Sequence, residues 1–160
     1  MNIEQASCHC GNISVQATFT NMLSEYTPRA CDCDFCIKNG AAYISDSKGK
    51  LNISIKNSDE TTFYKQGAHL VELLICKKCG VMVSVTYTDK GEVYAGLNSK
   101  TLDNRNLLAP SQAASPKLLS SEEKIKRWKE IWFPSVTIVH ENTQGTEFLK
   151  QPGENMNNIR

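Results

Sequence analysis

The sequence predicts a mainly β fold with one short C-terminal helix. Three observations carry that expectation. Apolar residues alternate with a period of two in several short segments, turn-forming Gly, Asn, Asp and Ser separate those segments, and a helical apolar period appears only after residue 120. At 160 residues the chain is long enough to bury a core without covalent staples, and it is read as one domain over residues 1–140 followed by a polar tail, 141–160.

The elements follow in chain order. After Gly11, "NISVQATF" places Ile13, Val15, Ala17 and Phe19 on one face of a strand. "AAYISDS", "KLNISIK" and "TTFYKQ" read as further strands. "HLVELLIC" is an apolar run ending at Cys76, and "VMVSVTYT" alternates Val81, Val83, Val85 and Tyr87, so Cys76 to Gly80 is expected to cap a β-hairpin. "EVYAGL" completes the β region. "APSQAASPK", residues 109–117, reads as a loop because of its two prolines and small polar residues. In "SSEEKIKRWKEIW", Ser120 and Glu123 form a capping box, and Ile125, Trp128, Ile131 and Trp132 recur at helical spacing. Pro134 stops this helix, "SVTIVHE" offers a last strand, and the tail from Asn142 has the composition of a poorly ordered segment.

Charge narrows the function classes. Eighteen Lys plus Arg against seventeen Asp plus Glu leave no bulk field for nucleic acid or anionic membrane, so neither is an expected partner. "MNIEQASCHC" lacks the charged start and apolar run of a signal peptide, and no stretch approaches the roughly 20 apolar residues needed to span a bilayer. The expected compartment is cytoplasmic.

In a reducing compartment clustered cysteines are more often metal ligands or catalytic groups than disulfides. The seven here are spaced Cys8-x-Cys10, Cys31-x-Cys33-x-x-Cys36 and Cys76-x-x-Cys79. Seven is odd, and cysteines one residue apart make strained bridges. Zinc closes a structural site with four ligands and leaves a catalytic one open, so seven divides into four and three. Cys8, Cys10, Cys76 and Cys79, each pair followed by a turn-relieving Gly, are expected to complete one tetrahedron. Cys31, Cys33 and Cys36 are expected to hold a second zinc in one loop, with a vacant position. The cofactor expectation is therefore two zinc ions per chain, one structural and one open.

The order "SCHCG", "CDCDFC", "CKKCG" and then "YAGLNSKTLD" resembles the glutathione-dependent formaldehyde-activating enzyme family, which includes centromere protein V-like proteins, over roughly residues 5–105. The resemblance implies several coiled antiparallel sheets stapled by two zincs. It assigns Cys8, Cys10, Cys76 and Cys79 as structural ligands and Cys31, Cys33 and Cys36 as ligands of the catalytic site. It further implies a carbon–sulfur lyase of the S-(hydroxymethyl)glutathione synthase type, joining glutathione and formaldehyde. Thiolate is a soft ligand, so an open zinc suits a small substrate thiol and its aldehyde adducts. Three thiolates leave a zinc centre with net charge −1, which favours thiol binding over Lewis-acid polarisation of an aldehyde. The alternative is a non-catalytic zinc module that binds a protein partner, with both metals structural.

Asn98 matches the family pattern near the site, and Asn98, Lys38 and Arg105 are the candidate substrate-binding residues, with Arg29 and Lys77 as further cations for an anionic substrate. Asp34, beside an anionic centre, is expected to repel carboxylates. His69 or His140 as a fourth ligand would close the triad, and His9, between two ligands, is expected to face solvent. Lys124, Lys126, Arg127 and Lys129 are expected to form the solvated face of the amphipathic helix.

Overall fold

The computed structural model describes residues 1–141 and 147–149 of the chain. Its elements are β1 (Asn2–Ser7), β2 (Ile13–Phe19), β3 (Arg29–Cys31), α1 (Asp34–Asn39), β4 (Tyr43–Ile44), β5 (Lys50–Ile55), β6 (Thr61–Lys65) and β7 (Glu72–Cys76), followed by β8 (Met82–Asp89), β9 (Glu92–Asn98), β10 (Gln112–Ala114), α2 (Ser121–Ile131), β11 (Ser135–Glu141) and β12 (Glu147–Leu149). The mainly β expectation holds. The strands form a five-stranded sheet in the order β1-β2-β5-β11-β12 and a seven-stranded sheet in the order β10-β3-β4-β9-β8-β7-β6.

The two sheets bury their strands differently. In the five-stranded sheet, Leu51, Ile53 and Ile55 of β5 point inward while Lys50 and Asn52 are exposed, so one face is wet. The seven-stranded sheet is covered on both faces at its centre. Leu74 and Cys76 of β7 join the core shared with the five-stranded sheet, and Leu73 and Ile75 join a second core with Trp128 and Trp132. Burial on both faces explains why "LLIC", Leu73 to Cys76, is continuously apolar rather than alternating. Phe133 knits the structure at the end of α2. It is fully buried, meets Phe19 edge-on at 5.4 Å, and exchanges backbone hydrogen bonds with Ala95 of β9.

Several elements differ from the sequence reading. β1 pairs antiparallel with β2 from Asn2 onward, although its mixed polar composition gave no strand signal. The triad segment is not one loop, because Asp34–Asn39 forms α1, ended by Gly40 in the left-handed region. β10 lies within the expected loop 109–117 and pairs parallel with β3. β11, the expected last strand, pairs parallel with β5. The antiparallel expectation is corrected at these two pairs, and both corrections involve segments that return from α2 or lead into it. Of the expected polar tail, Glu147–Leu149 pairs antiparallel with Val139–Glu141, and the other residues beyond 141 lie outside those described. Among the described residues no helix is long and apolar enough to cross a membrane.

Candidate metal centre

Two turns build the four-cysteine cluster. Cys8 and Cys10 occupy the β1–β2 connection, and Cys76 and Cys79 the β7–β8 connection, so each sheet contributes two thiols. Gly11 and Gly80 follow the second cysteine of each turn with φ of +82° and +80°, a backbone region that β-carbon-bearing residues resist. Their N–H groups close the turns onto the carbonyls of Cys8 and Cys76. The Sγ atoms of Cys8 and Cys10 lie 3.7 Å apart, and those of Cys10 and Cys76 lie 3.5 Å apart. A tetrahedral zinc with bonds of about 2.3 Å sets its sulfurs about 3.8 Å apart, so this donor set fits that ion. Burial pushes the Cys8 thiol up to about 12, whereas at Cys79 burial, which raises, is outweighed by hydrogen bonds that draw the thiol down to about 6.

The second cluster is built by one short segment. Cys31 ends β3, Cys33 is the residue before α1, and Cys36 sits one turn into that helix, bringing three Sγ atoms within 4.8 Å of one another. The hydrogen bond shared with Cys36 draws the Cys31 thiol down to about 6, outweighing burial, which acts in the opposite sense. Cys36 is pushed up by the same bond and then by burial. Tyr43 Oη stands 3.2 Å from Cys36 Sγ and fixes that sulfur from β4. Three soft donors with mutual spacing below 4.8 Å suit a thiophilic divalent ion and supply one ligand fewer than a closed structural site.

The triad opens into a cavity of about 280 Å³. Its opposite wall is α2, which presents Lys124, Arg127 and Trp128, with Trp132 just beyond the helix. Trp128 and Trp132 stack at a centroid distance of 5.1 Å. Arg29 and Lys117 complete the charged lining, which holds no acidic side chain among the described residues, although Lys117 is 3.6 Å from the Asp32 carboxylate. The Arg29 guanidinium is lowered to about 10, first by burial and then by the positive charge of Arg127.

The other sequence candidates fall elsewhere. Asn98 is buried, donates to the Met82 carbonyl at 2.9 Å and caps the turn at Ser99–Thr101 through the Lys100 N–H. Lys38 is exposed and 4.0 Å from Asp34. Arg105 is exposed and donates to the Leu102 carbonyl at 3.1 Å. None of these three lines the triad cavity; Asn98 and Arg105 line a second, more polar depression beside Cys8. Asp34 has a side chain 94% exposed, so it projects into water and lines no part of the cavity. His9 and His69 are exposed, His140 is buried against Ser58, and none joins either cysteine cluster. Sequence reasoning missed Arg127 and Lys124, treated as solvated, because a helical period identifies an apolar stripe but not what its borders face.

Comparison with known proteins bears on the same residues. Among curated protein sequences, none matches the chain. A crystal structure of a Rhodobacter sphaeroides protein is 23% identical, covering 68% of this chain and 99% of that one, with a TM-score of 0.48. The sequence matches the family described as glutathione-dependent formaldehyde-activating enzyme over residues 3–115, a span holding all seven cysteines and more than two thirds of the chain. The chain therefore belongs to the glutathione-dependent formaldehyde-activating enzyme family.

Proposed function

We propose that this chain is a zinc-dependent carbon–sulfur lyase or synthase that acts on glutathione or another small thiol and its formaldehyde-type adducts. The observation that carries the reading is three convergent thiols, Cys31, Cys33 and Cys36, beside a cavity large enough for a small organic molecule. Among the described residues no fourth protein ligand joins them. Zinc held there would supply a position at which a substrate thiol loses its proton and is held as thiolate. In the reaction the sulfur adds to the aldehyde carbon, the C=O π pair moves to oxygen, and the proton shed by the thiol ends on that oxygen.

The chain's own residues have separable parts in this scheme. Cys31, with its lowered pKa, offers the first thiolate. The Tyr43 hydroxyl holds Cys36 in place. Trp128, Trp132, Val71, Leu73 and Val85 line the cavity with apolar surface, which limits competing water. Cys8, Cys10, Cys76 and Cys79 take no part in the chemistry and hold the two sheets together.

The test is thiol titration of cobalt-substituted protein, read by the sulfur-to-metal charge-transfer band, alongside calorimetry in buffers of different ionisation enthalpy. Glutathione or a smaller thiol is expected to change the band and to release a proton. A spectrum that no thiol alters, with metal lost on His69→Ala or His140→Ala, would close the site and turn the reading to the protein-binding module.

A further inference from the structure

We propose that the Tyr43 hydroxyl tunes the charge of the triad centre. It donates a hydrogen bond to the Cys36 thiolate, draws electron density from that sulfur, and so lets a metal already held by three thiolates accept a fourth. Tyr43 acts through Cys36 and is a positioning residue with an electronic part, beyond holding the sulfur in place. The proposal rests on the thiol-binding reading above and deepens it.

Strand register puts the hydroxyl there. Tyr43 of β4 lies directly opposite Arg29 of β3. Opposed residues point to one face of a sheet, and so do residues two apart in a strand, so Tyr43 shares a face with Arg29 and Cys31. All three line the triad cavity. From the other side α1 brings in Cys36, whose sulfur ends 3.2 Å from Tyr43 Oη. Tyr43 and Cys36 are 7% and 4% exposed, so bulk water competes little for this bond. Among the described residues Cys36 Sγ is the hydroxyl's one hydrogen-bond partner. A free thiol could donate to the hydroxyl, but a metal-bound thiolate has no proton to give, so with metal present the hydroxyl must donate.

Charge makes this bond matter. Three thiolates on a divalent ion leave the centre with one negative charge, and a fourth thiolate adds another in a partly buried space, where like charges repel strongly. A hydrogen bond to a charged sulfur spreads part of that charge onto the phenol. Groups that bond to metal ligands in this way change metal or ligand affinity by about ten- to a hundredfold. Among the described residues Tyr43 is the one side-chain hydroxyl bonded to a triad sulfur, so the effect falls on one ligand of three and the lower end of that range is expected.

Cobalt in place of zinc is the probe, because its sulfur-to-metal charge-transfer band reports how readily the thiolates donate. Tyr43→Phe keeps the ring and removes only the hydroxyl, so the fold and the β3–β4 pairing should survive. Without the hydrogen bond Cys36 donates more readily, and the band should move to lower energy. Replacing tyrosine biosynthetically by 3-fluorotyrosine makes the hydroxyl a stronger donor and should move the band the other way. The chain has five tyrosines, and labelled Tyr43→Phe protein is the control for the other four. Two ligands then probe the fourth position: 2-mercaptoethanol, which binds as a thiolate, and imidazole, which binds neutral. Tyr43→Phe should weaken the thiol about tenfold and leave imidazole within about twofold. A band that neither change moves, an equal loss of both ligands, or loss of the metal together with the hydroxyl would overturn the proposal. Equal thiol affinity in the two proteins would also overturn it while the thiol reading stands. If the band moves as expected but no thiol perturbs it in either protein, the hydroxyl's effect on the centre stands and the thiol reading falls.

Discussion

Replacing Cys10 and Cys79 together by serine should destabilise the fold far more than replacing Cys31 and Cys33. These two ligands of the four-cysteine cluster are exposed and partly buried, so serine there strands no fully buried hydroxyl, as it would at Cys8 or Cys76. Cys10 and Cys76 are 66 residues apart in sequence yet 3.5 Å apart at sulfur. Cross-linking a loop of that length removes roughly 4 kcal/mol of chain entropy from the unfolded state. Cys31 and Cys36 close a loop of only five residues, worth at most about 2 kcal/mol on the same scale. A domain's whole net stability is about 5–15 kcal/mol, so loss of the inter-sheet metal takes a large part of it. Urea unfolding followed by far-ultraviolet circular dichroism, with metal content measured on each sample, gives both numbers. The Cys31→Ser/Cys33→Ser protein should stay folded with one metal fewer. Equal losses in the two variants, or the reverse order, would refute the division into one cross-linking and one chemical site.

Metal analysis of protein purified without chelator should approach two zinc ions per chain, one for each cysteine cluster; a reproducible value of one or less would remove the triad as a metal site. Asp46 accepts hydrogen bonds from the Thr20 N–H and hydroxyl, the Tyr26 hydroxyl and the Lys48 N–H; burial acts to raise its pKa, but these bonds outweigh it and hold it at about 2, below the usual 3.8. A depressed carboxylate stabilises above its unfolded pKa, so the advantage of Asp46 over Asp46→Asn should be about 2 kcal/mol or more at pH 5–7 and shrink as pH falls from 4 toward 2; a constant difference across that window in parallel denaturation curves would contradict it. Gly49→Ala should lower stability by about 1–3 kcal/mol, measured as a fall in melting temperature, because a Cβ there would lie 2.3 Å from the Thr18 carbonyl oxygen and 2.8 Å from Phe133. Ser120→Ala should cost about 1 kcal/mol, since Ser120 Oγ accepts from the Glu123 N–H while the Glu123 carboxylate accepts from the Ser120 N–H; an unchanged urea midpoint would show that packing alone sets the start of α2.

Much of the fold was legible because alternation reports burial on one face. Ile13, Val15, Ala17 and Phe19 are all buried, and the hairpin around Cys76–Gly80 forms as its turn residues require. The grouping of the cysteines into four and three was legible for a similar reason, since metal ligands sit in short turns of characteristic spacing. Pairing partners were not legible. Nothing in "SVTIVHE" distinguishes a strand parallel to β5 from one antiparallel to it, because the choice depends on where α2 returns the chain. α1 was hidden because six residues crowded with ligands carry too little periodicity to announce a helix. Arg127 and Lys124 were placed in solvent for want of knowledge of the neighbour facing that border of α2, and Lys38 and Arg105 were placed near the substrate for want of knowledge that their side chains project outward.

The family match ends at residue 115, and the helix that walls the triad cavity begins at Ser121. The two halves of this site therefore lie in different parts of the chain, only one of which the family match spans. The segment with all seven cysteines supplies both candidate metal clusters, while Trp128, Trp132 and Phe133 of the later segment complete the two cores. The segment with Lys117, Lys124, Arg127, Trp128 and Trp132 supplies a wall of the cavity into which the three thiols open. A change on the cavity-facing side of that helix would then alter what the cavity can accept without touching a cysteine, so long as Trp128 and Trp132 keep the second core filled.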